Sequence, residues 1–254
     1  MNDLSIIIPI HELCDANLAY FEMAVDSVPS DYPIIVSCKF GDGEYIKKFI
    51  DKKRPDIIIK ETDDENSPTD FCSLVNQAVI GTTWFSVLEF DDEYTPIWFD
   101  NVKRYIDFID DVYMFMPMSE LVDYNTQKFI GFGNEAVWAS SFSEEMGYID
   151  HECLENYFDF YITGSVINTE KFIEIGGLKP SIKLSFWHEF LLRFTSKYKI
   201  YVIPKIGYKH TLGRPNSLLE QYKATMDEKE QEFWINTAKK ASESISDEEY
   251  EYKP

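Results

Sequence analysis

Short apolar runs alternate with helix-spaced apolar residues along the first part of the chain. Residues 4–10 form an apolar, β-branched run that is too short for a helix and contains Pro9, which is typical of a buried parallel strand. The same pattern predicts further strands at residues 32–38, 56–60 and 84–90, with helices at 16–28, 44–51 and 71–80. Strands that alternate with helices indicate βαβ units, so we predict an α/β fold with a mostly parallel central sheet flanked by helices.

The second part of the chain has a weaker pattern. We predict a helix at 98–109 and strands at 112–118 and 200–204. Residues 119–160 fit no regular pattern and are predicted to be an insertion. Residues 218–240 have the spacing of an amphipathic terminal helix that packs on the body of the protein or on a partner chain. We therefore predict one domain over residues 1–217 and a C-terminal helix with an acidic tail over 218–254.

Composition sets the class of protein. With 254 residues, 44% of them hydrophobic, the chain can bury a sizeable core. No stretch approaches the roughly 18–20 apolar residues of a membrane span, and the N-terminus lacks the features of a signal peptide, so we expect a cytoplasmic protein without a transmembrane segment. The scattered cysteines form no C-x-x-C pair and are predicted to be buried free thiols: Cys14, Cys38, Cys72 and Cys153.

The chain is strongly acidic. Its 45 acidic residues face 24 lysines and arginines, which gives a formal net charge of −21. Sequence-independent affinity for nucleic acids comes from basic side chains that neutralise phosphates, so this charge argues against a nucleic-acid partner.

One acidic cluster stands apart from this general charge. Glu89, Asp91, Asp92 and Glu93 directly follow the apolar run at 85–88. Clustered carboxylates repel one another unless a cation lies between them, and open α/β sheets bind ligands at the carboxyl ends of their strands. The cluster therefore predicts a site for Mn²⁺ or Mg²⁺. The alternative is a solvated acidic turn that ends at a proline.

The order of these motifs resembles the GT-A glycosyltransferases, particularly the large family 2. In that family the fourth strand leads into Asp-x-Asp-Asp, three further residues and a proline, and this chain has the same spacing with Glu89 in place of the first aspartate. The other matching motifs are Pro9 in the first strand, Gly41-Asp42-Gly43 after the second, Asn76 and Ala78 in the third helix, and Gly176-Gly177.

The resemblance implies a site for a nucleotide-sugar donor and a metal ion, because a metal held by carboxylates can neutralise the charge that develops on a leaving diphosphate. It divides the domain into a nucleotide-sugar-binding half, 1–96, and an acceptor and catalytic half, 97–217, with the insertion near the acceptor. It places the donor against Pro9, Ile10, His11, Glu12, Asp42, Glu89, Phe90 and Arg214, and the metal ion against Asp91, Asp92 and His210.

The general base is less clearly marked. The family places a Glu-Asp pair before a helix that ends in Leu-x-x-Arg, and here the corresponding segment, 186–193, lacks that pair. Glu189 is our predicted base and His188 its rival, since burial beside aromatic side chains raises the pKa of a carboxyl group. Alternatively, Glu189 and Arg193, four positions apart on a helix, pair with each other. In that case the base lies elsewhere, or the protein is weakly active, retaining or inactive.

These features predict a metal-dependent glycosyltransferase that moves a sugar from a nucleoside-diphosphate donor, a UDP-sugar, to a hydroxyl group of a glycan or another acceptor, with inversion. The alternative is a catalytically silent GT-A domain that binds a nucleotide sugar, a glycan or a protein partner. A modified nucleic-acid base as acceptor is a third hypothesis, and the net charge argues against it.

Overall fold

The computed structural model describes residues 4–11, 13, 18–50, 54, 56–140, 142–143, 145–215 and 217–243. Within these ranges, ten strands form one sheet that is flanked by helices. The strands are β1 (Leu4–Ile10), β2 (Ile34–Cys38), β3 (Ile58–Glu61), β4 (Trp84–Val87), β5 (Glu93–Tyr94), β6 (Val112–Asp123), β7 (Phe129–Gly133), β8 (Tyr148–Ile149), β9 (Val166–Asn168) and β10 (Lys199–Leu212). The helices are α1 (Leu18–Asp26), α2 (Gly43–Ile50), α3 (Phe71–Val79), α4 (Trp98–Phe108), α5 (His151–Asn156), α6 (Thr169–Glu174), α7 (Phe186–Thr195), α8 (Leu218–Thr225) and α9 (Glu228–Glu243), with a 3₁₀ helix at Glu135–Trp138.

The sheet has the order β3-β2-β1-β4-β9-β6-β10-β5, with β7 paired to β6 and β8 paired to β10. The first four strands in that order are parallel, as are β6 and β10. Strand β9 lies between β4 and β6 and is antiparallel to both. The predicted α/β fold with a central sheet flanked by helices is confirmed, and the antiparallel β9 joins its two parallel portions.

Strand β1 is buried on both faces of the sheet. Its side chains alternate between two apolar cores, with Ile7 in one core and Ile6 and Ile8 in the other. Because both faces are buried, every position except the half-buried Ser5 is apolar, which is the pattern of a central parallel strand. The predicted bounds of this strand are confirmed.

A buried hydrogen-bonded contact joins α3 to the second half of the chain. The helix begins after Asp70, whose carboxylate accepts a hydrogen bond from the Ser73 N–H at 3.1 Å. On its buried face, the Asn76 side chain donates to the Leu178 carbonyl at 2.8 Å and accepts from the Leu178 N–H at 3.0 Å. A buried amide satisfied on both sides fixes the chain that follows Gly176-Gly177 against the first half of the chain.

The second half contains more regular structure than predicted. Strand β6 extends to Asp123 because it pairs with both β10 and β7, and residues 119–160 hold β7, β8, the 3₁₀ helix and α5 in place of an irregular insertion. Strand β10 runs to Leu212, well beyond the predicted 200–204. It accommodates Pro204 because its pairing with β6 shifts register between Ile203 and Tyr208, and a proline is tolerated at such a bulge.

The predicted C-terminal helix is two helices. Helix α8 ends at Thr225, and α9 begins after Asp227, whose side chain accepts a hydrogen bond from the Glu230 N–H at 2.9 Å. Helix α9 packs on α7, where the Ser185 hydroxyl donates to the Trp234 carbonyl at 2.7 Å. The acidic tail, 244–254, lies outside the described residues.

The structure also bears on two predictions made from the composition. Cys38, Cys72 and Cys153 are buried free thiols, as predicted, and Cys14 lies outside the described residues. Among the helices in the described ranges, none combines the length and apolar content required to cross a bilayer.

Candidate functional site

The acidic cluster lies where the parallel portion of the sheet ends. After β4 ends at Val87, the chain turns through a hydrogen bond from the Asp92 N–H to the Glu89 carbonyl at 3.1 Å. The next strand, β5, pairs with β10 and so brings the C-terminal part of the chain beside the turn. Along β10, alternate side chains point to opposite faces. His210 therefore meets Asp92, whereas Lys209 forms an ion pair with Glu93 at 2.7 Å.

Three side chains from these segments could hold a metal ion. Asp92 is only 1% exposed; one of its oxygens lies 2.7 Å from His210 Nδ1, and the other accepts a hydrogen bond from the Thr211 N–H at 2.8 Å. Glu89, Asp92 and His210 each present a ligand atom, and these atoms lie within 4.8 Å of one another. In the described part of the chain this is the one such group of three or more. Carboxylate oxygens with one imidazole nitrogen suit Mn²⁺, and the oxygens also suit Mg²⁺.

The Asp91 side chain pairs with Arg214 and not with His210. Its carboxylate accepts a hydrogen bond from Arg214 Nε at 2.5 Å, and the Arg214 guanidinium lies 4.7 Å from the centre of the Phe90 ring. The structure thus brings Asp92 and His210, both predicted ligands, together with Glu89, which we predicted as a donor contact. Asp91 forms an ion pair with a residue that we predicted to contact the donor.

The clustered carboxylates shift the pKa values of the ionisable side chains in the site. Burial, and secondarily the negative charge of Asp92, raise the pKa of Glu89 to about 8. Burial and the same charge raise the pKa of Asp91, while Arg214 opposes the shift. Burial lowers the pKa of His210, but the charge and hydrogen bond of Asp92 outweigh it, and the pKa rises to about 9. Both carboxyl groups are thus shifted towards their neutral forms, and a divalent cation bound here would favour the ionised forms instead.

The Tyr208 side chain contacts the backbone of the acidic segment. Its buried hydroxyl accepts a hydrogen bond from the Glu89 N–H at 3.1 Å. Gly164 lies against the Tyr208 ring with a φ of +82°, and its N–H donates to the Val87 carbonyl at 2.8 Å. A Cβ at this position would overlap the Tyr208 ring, so only glycine allows this close approach.

Replacing Gly164 by alanine tests this support. Both the positive φ and the overlap with the ring are unfavourable, so we expect Gly164→Ala to lower the free energy of unfolding by about 2–4 kcal/mol. The matched control is Gly213→Ala, because Gly213 has a φ of +78° but nothing lies within 4 Å of the added methyl group. Its loss should be about 1 kcal/mol, from backbone strain alone. Urea denaturation measures both, and equal losses would contradict the packing role of Gly164.

A cavity of about 460 Å³ opens beside the cluster. Part of its lining is polar, from the acidic segment and the end of β10, and part is apolar, from the start of α7 and from α8. Several predicted donor-binding residues are among the lining residues, namely Pro9, His11, Glu89, Phe90 and Arg214.

Other predicted donor contacts lie apart from this cavity. Ile10 is buried at the end of β1 and is 2% exposed. Asp42 is exposed on the turn that precedes α2, where its carbonyl accepts the first hydrogen bonds of that helix, and it is not among the lining residues. Glu12 lies outside the described residues.

Glu189, the predicted base, is held in a buried ion pair. Its side chain is completely buried, and its oxygens accept hydrogen bonds from Arg193 Nε at 2.5 Å and Arg193 Nη2 at 2.6 Å. Lys179 Nζ lies 3.0 Å from the same carboxylate. Arg193 also donates to the carbonyls of Ile175 and Gly177. The alternative prediction of a Glu189–Arg193 pair is confirmed, and this pair fixes the turn after α6.

The direction of α7 explains this outcome. Phe186 and Trp187 at its start line the cavity, whereas His188 and Glu189 do not. The His188 ring packs against Phe158, with 4.4 Å between the ring centres. Neither predicted base is therefore positioned at the cavity.

Tyr161 is a lining residue that the sequence did not reveal. Its ring lies 5.3 Å from that of His210, and its backbone is held by the buried Asn134. The Asn134 side chain donates to the Tyr161 carbonyl at 2.7 Å and accepts from the Tyr161 N–H at 2.9 Å. The one related signal was Gly133 in β7, because a Cβ at that position would overlap the Tyr161 ring. Thr211, Leu184 and Tyr222 also line the cavity, and nothing in their local sequence marks them.

Comparison with known proteins identifies the fold. No protein-family model matches the chain, and no curated protein matches its sequence. The structure is similar to that of Staphylococcus aureus TarS, a glycosyltransferase with the GT-A fold. For TarS 1-349 in complex with UDP-GlcNAc, the TM-score is 0.65 at 13% identity, over 97% of this chain and 68% of that one. For TarS 1-349 in complex with UDP, the TM-score is 0.57 at 14% identity, over 96% of this chain and 72% of that one.

A longer TarS chain gives a TM-score of 0.58 at 12% identity, and this protein spans 44% of its length. Similarity at such low identity establishes the fold. The predicted GT-A fold is therefore confirmed.

Proposed function

We propose that the protein is a metal-dependent glycosyltransferase that moves a sugar from a UDP-sugar to an acceptor hydroxyl. The observation that carries this proposal is the group of Glu89, Asp92 and His210 at the carboxyl end of the parallel strands, beside a cavity of about 460 Å³. That edge of the sheet is where open α/β folds bind their ligands. The TarS complexes with UDP-GlcNAc and UDP support a uridine nucleotide as the donor.

The three candidate metal ligands suit a hard divalent cation. Glu89 and Asp92 supply oxygens and His210 a nitrogen, and the Thr211 N–H holds Asp92 in place. Bound there, Mn²⁺ or Mg²⁺ would neutralise the diphosphate as it leaves the sugar. Arg214, paired with Asp91 at the cavity wall, places a second positive charge close to the same region.

In the proposed reaction, the acceptor oxygen forms a bond to the anomeric carbon while the bond from that carbon to the diphosphate oxygen breaks. The hydroxyl proton passes to a base, and direct displacement inverts the anomeric centre. The Glu189–Arg193 pair favours a second candidate, a catalytically silent domain that binds a nucleotide sugar, because neither predicted base lies at the cavity.

A calorimetric titration with UDP and UDP-GlcNAc tests the proposal. We expect affinity to be at least about tenfold higher with Mn²⁺ than with EDTA, since the cation neutralises both the cluster and the diphosphate. Equal affinity under the two conditions, or no binding, would reject a metal-dependent donor site. Release of UDP from the bound donor then distinguishes the two candidates. A transferase consumes the donor in repeated turnovers, whereas a silent domain only binds it.

A further inference from the structure

We propose that the apolar part of the cavity binds a neutral hexopyranoside as the acceptor, with one face of the sugar ring against Trp187. This inference rests on the proposed function and names the substrate class for the same site. The apolar wall is defined by Leu184, Phe186 and Trp187, which precede or begin α7 and line the cavity together with the acidic segment.

The Trp187 ring is fixed by its neighbours. Its centre lies 6.0 Å from that of Phe71 and 5.9 Å from that of Phe190, both in edge-to-face geometry, and 5.7 Å from that of Phe186. Phe190 is completely buried, which anchors this aromatic group in the core. A ring held in this way loses little conformational entropy when a ligand stacks on it.

Leu184 is held in an unusual conformation beside this ring. It has a φ of +57°, and the Ser185 N–H donates to the Lys183 carbonyl at 2.5 Å across it, which forms a γ-turn. A non-glycine residue in this conformation is strained, and such strain persists where the surroundings impose it, often at binding sites. Here the γ-turn leads directly into the first turn of α7 and places an aliphatic side chain on the cavity wall next to the aromatic residues.

The charges of the cavity argue for a neutral acceptor. Among the described lining residues there is no lysine, and Arg214 and His210 already pair with Asp91 and Asp92. A phosphorylated acceptor would enter beside carboxylates in a chain of net charge −21 without a further arginine or lysine to meet it. Burying such an anion is unfavourable. A hexopyranoside instead offers an apolar C–H face for the ring of Trp187 and hydroxyl groups for the polar lining.

The test compares neutral and charged sugars as acceptors for UDP-sugar donors. The probes are the methyl β-pyranosides of glucose, galactose and N-acetylglucosamine, with glucose 6-phosphate as the charged counterpart. We expect a methyl hexopyranoside to be used with kcat/KM at least about tenfold higher than glucose 6-phosphate. The inference is overturned if glucose 6-phosphate is the better acceptor, or if the donor binds but no methyl hexopyranoside is glycosylated or bound.

Variants of Trp187 test the stacking itself. We expect Trp187→Ala to raise the acceptor KM about tenfold and Trp187→Phe to raise it less, because a smaller ring retains part of the stacking surface. The matched control, Trp234→Phe, changes a tryptophan on α9 that does not line the cavity. Donor affinity, measured by calorimetry, should be unchanged in all three variants. If the donor does not bind to the unmodified protein, the proposed function fails. If the donor binds and Trp187→Ala behaves like the control, only the acceptor inference fails.

Discussion

Replacing Asp92 by asparagine is expected to weaken Mn²⁺-dependent donor binding by about 100-fold or more, since it removes a charged ligand. The variant also loses the negative charge that faces His210 at 2.7 Å, while the amide oxygen can still accept the Thr211 N–H. The turn should therefore keep its shape, and the loss of UDP affinity should appear in Mn²⁺ and be absent in EDTA. Calorimetry with UDP, in Mn²⁺ and in EDTA, measures it.

The adjacent residue provides the control. Glu93→Gln removes a carboxylate one position away that pairs with Lys209 rather than with His210. If the acidity of the segment as a whole attracts the cation, the two variants should weaken binding alike. If the geometry of Glu89, Asp92 and His210 is responsible, Glu93→Gln should change affinity by no more than about twofold, as expected for one partly exposed charge that already has a partner.

The second large effect concerns Glu189. Replacing it by alanine leaves Arg193 buried at 1% exposure without its carboxylate partner, and losing one member of a buried ion pair costs about 3–5 kcal/mol. We expect a decrease of that size in the free energy of unfolding in urea. The structural role predicts this loss whether or not a donor is present.

A surface ion pair provides the control for Glu189→Ala. Glu174→Ala removes a carboxylate that lies 3.1 Å from Lys171 on α6 but is 43% exposed, so its cost should stay within about 1 kcal/mol. A stable Glu189→Ala variant that has lost only turnover would contradict the structural role and restore Glu189 as the base. Donor affinity in the same variant shows whether the turn at Gly176-Gly177 still supports the cavity.

The first half of the fold could be predicted because its signals are local. Strand β1 is apolar on both faces, and α3 begins at a capping aspartate and continues with helix-spaced apolar residues. The second half carries weaker signals. Strand β7 is mostly exposed and yet displays Phe129, Ile130 and Phe132, so it shows no clean alternation of apolar and polar residues. Strand β10 is interrupted by a proline and by shifts of register that only its pairing with β6 explains.

The candidate site was also predictable only in part. The acidic segment was evident from its charge, but the direction of each carboxylate depends on partners far away in the sequence. Asp91 turns to Arg214, which lies 123 positions later, and Asp92 meets His210 only because β5 pairs with β10. Local sequence contains no record of such contacts. The pairing of Glu189 with Arg193 was foreseeable, since both lie on one helix four positions apart.

The position of β9 has a consequence for how the chain folds. This strand, Val166–Asn168, fills the place between β4 and β6, so the edge of β4 stays unpaired until about two thirds of the chain has been synthesised. Unpaired strand edges are prone to aggregation, and contacts between distant segments form slowly. The candidate metal ligands assemble later still, because His210 arrives with β10. A nascent chain therefore exposes the β4 edge before the candidate metal ligands come together.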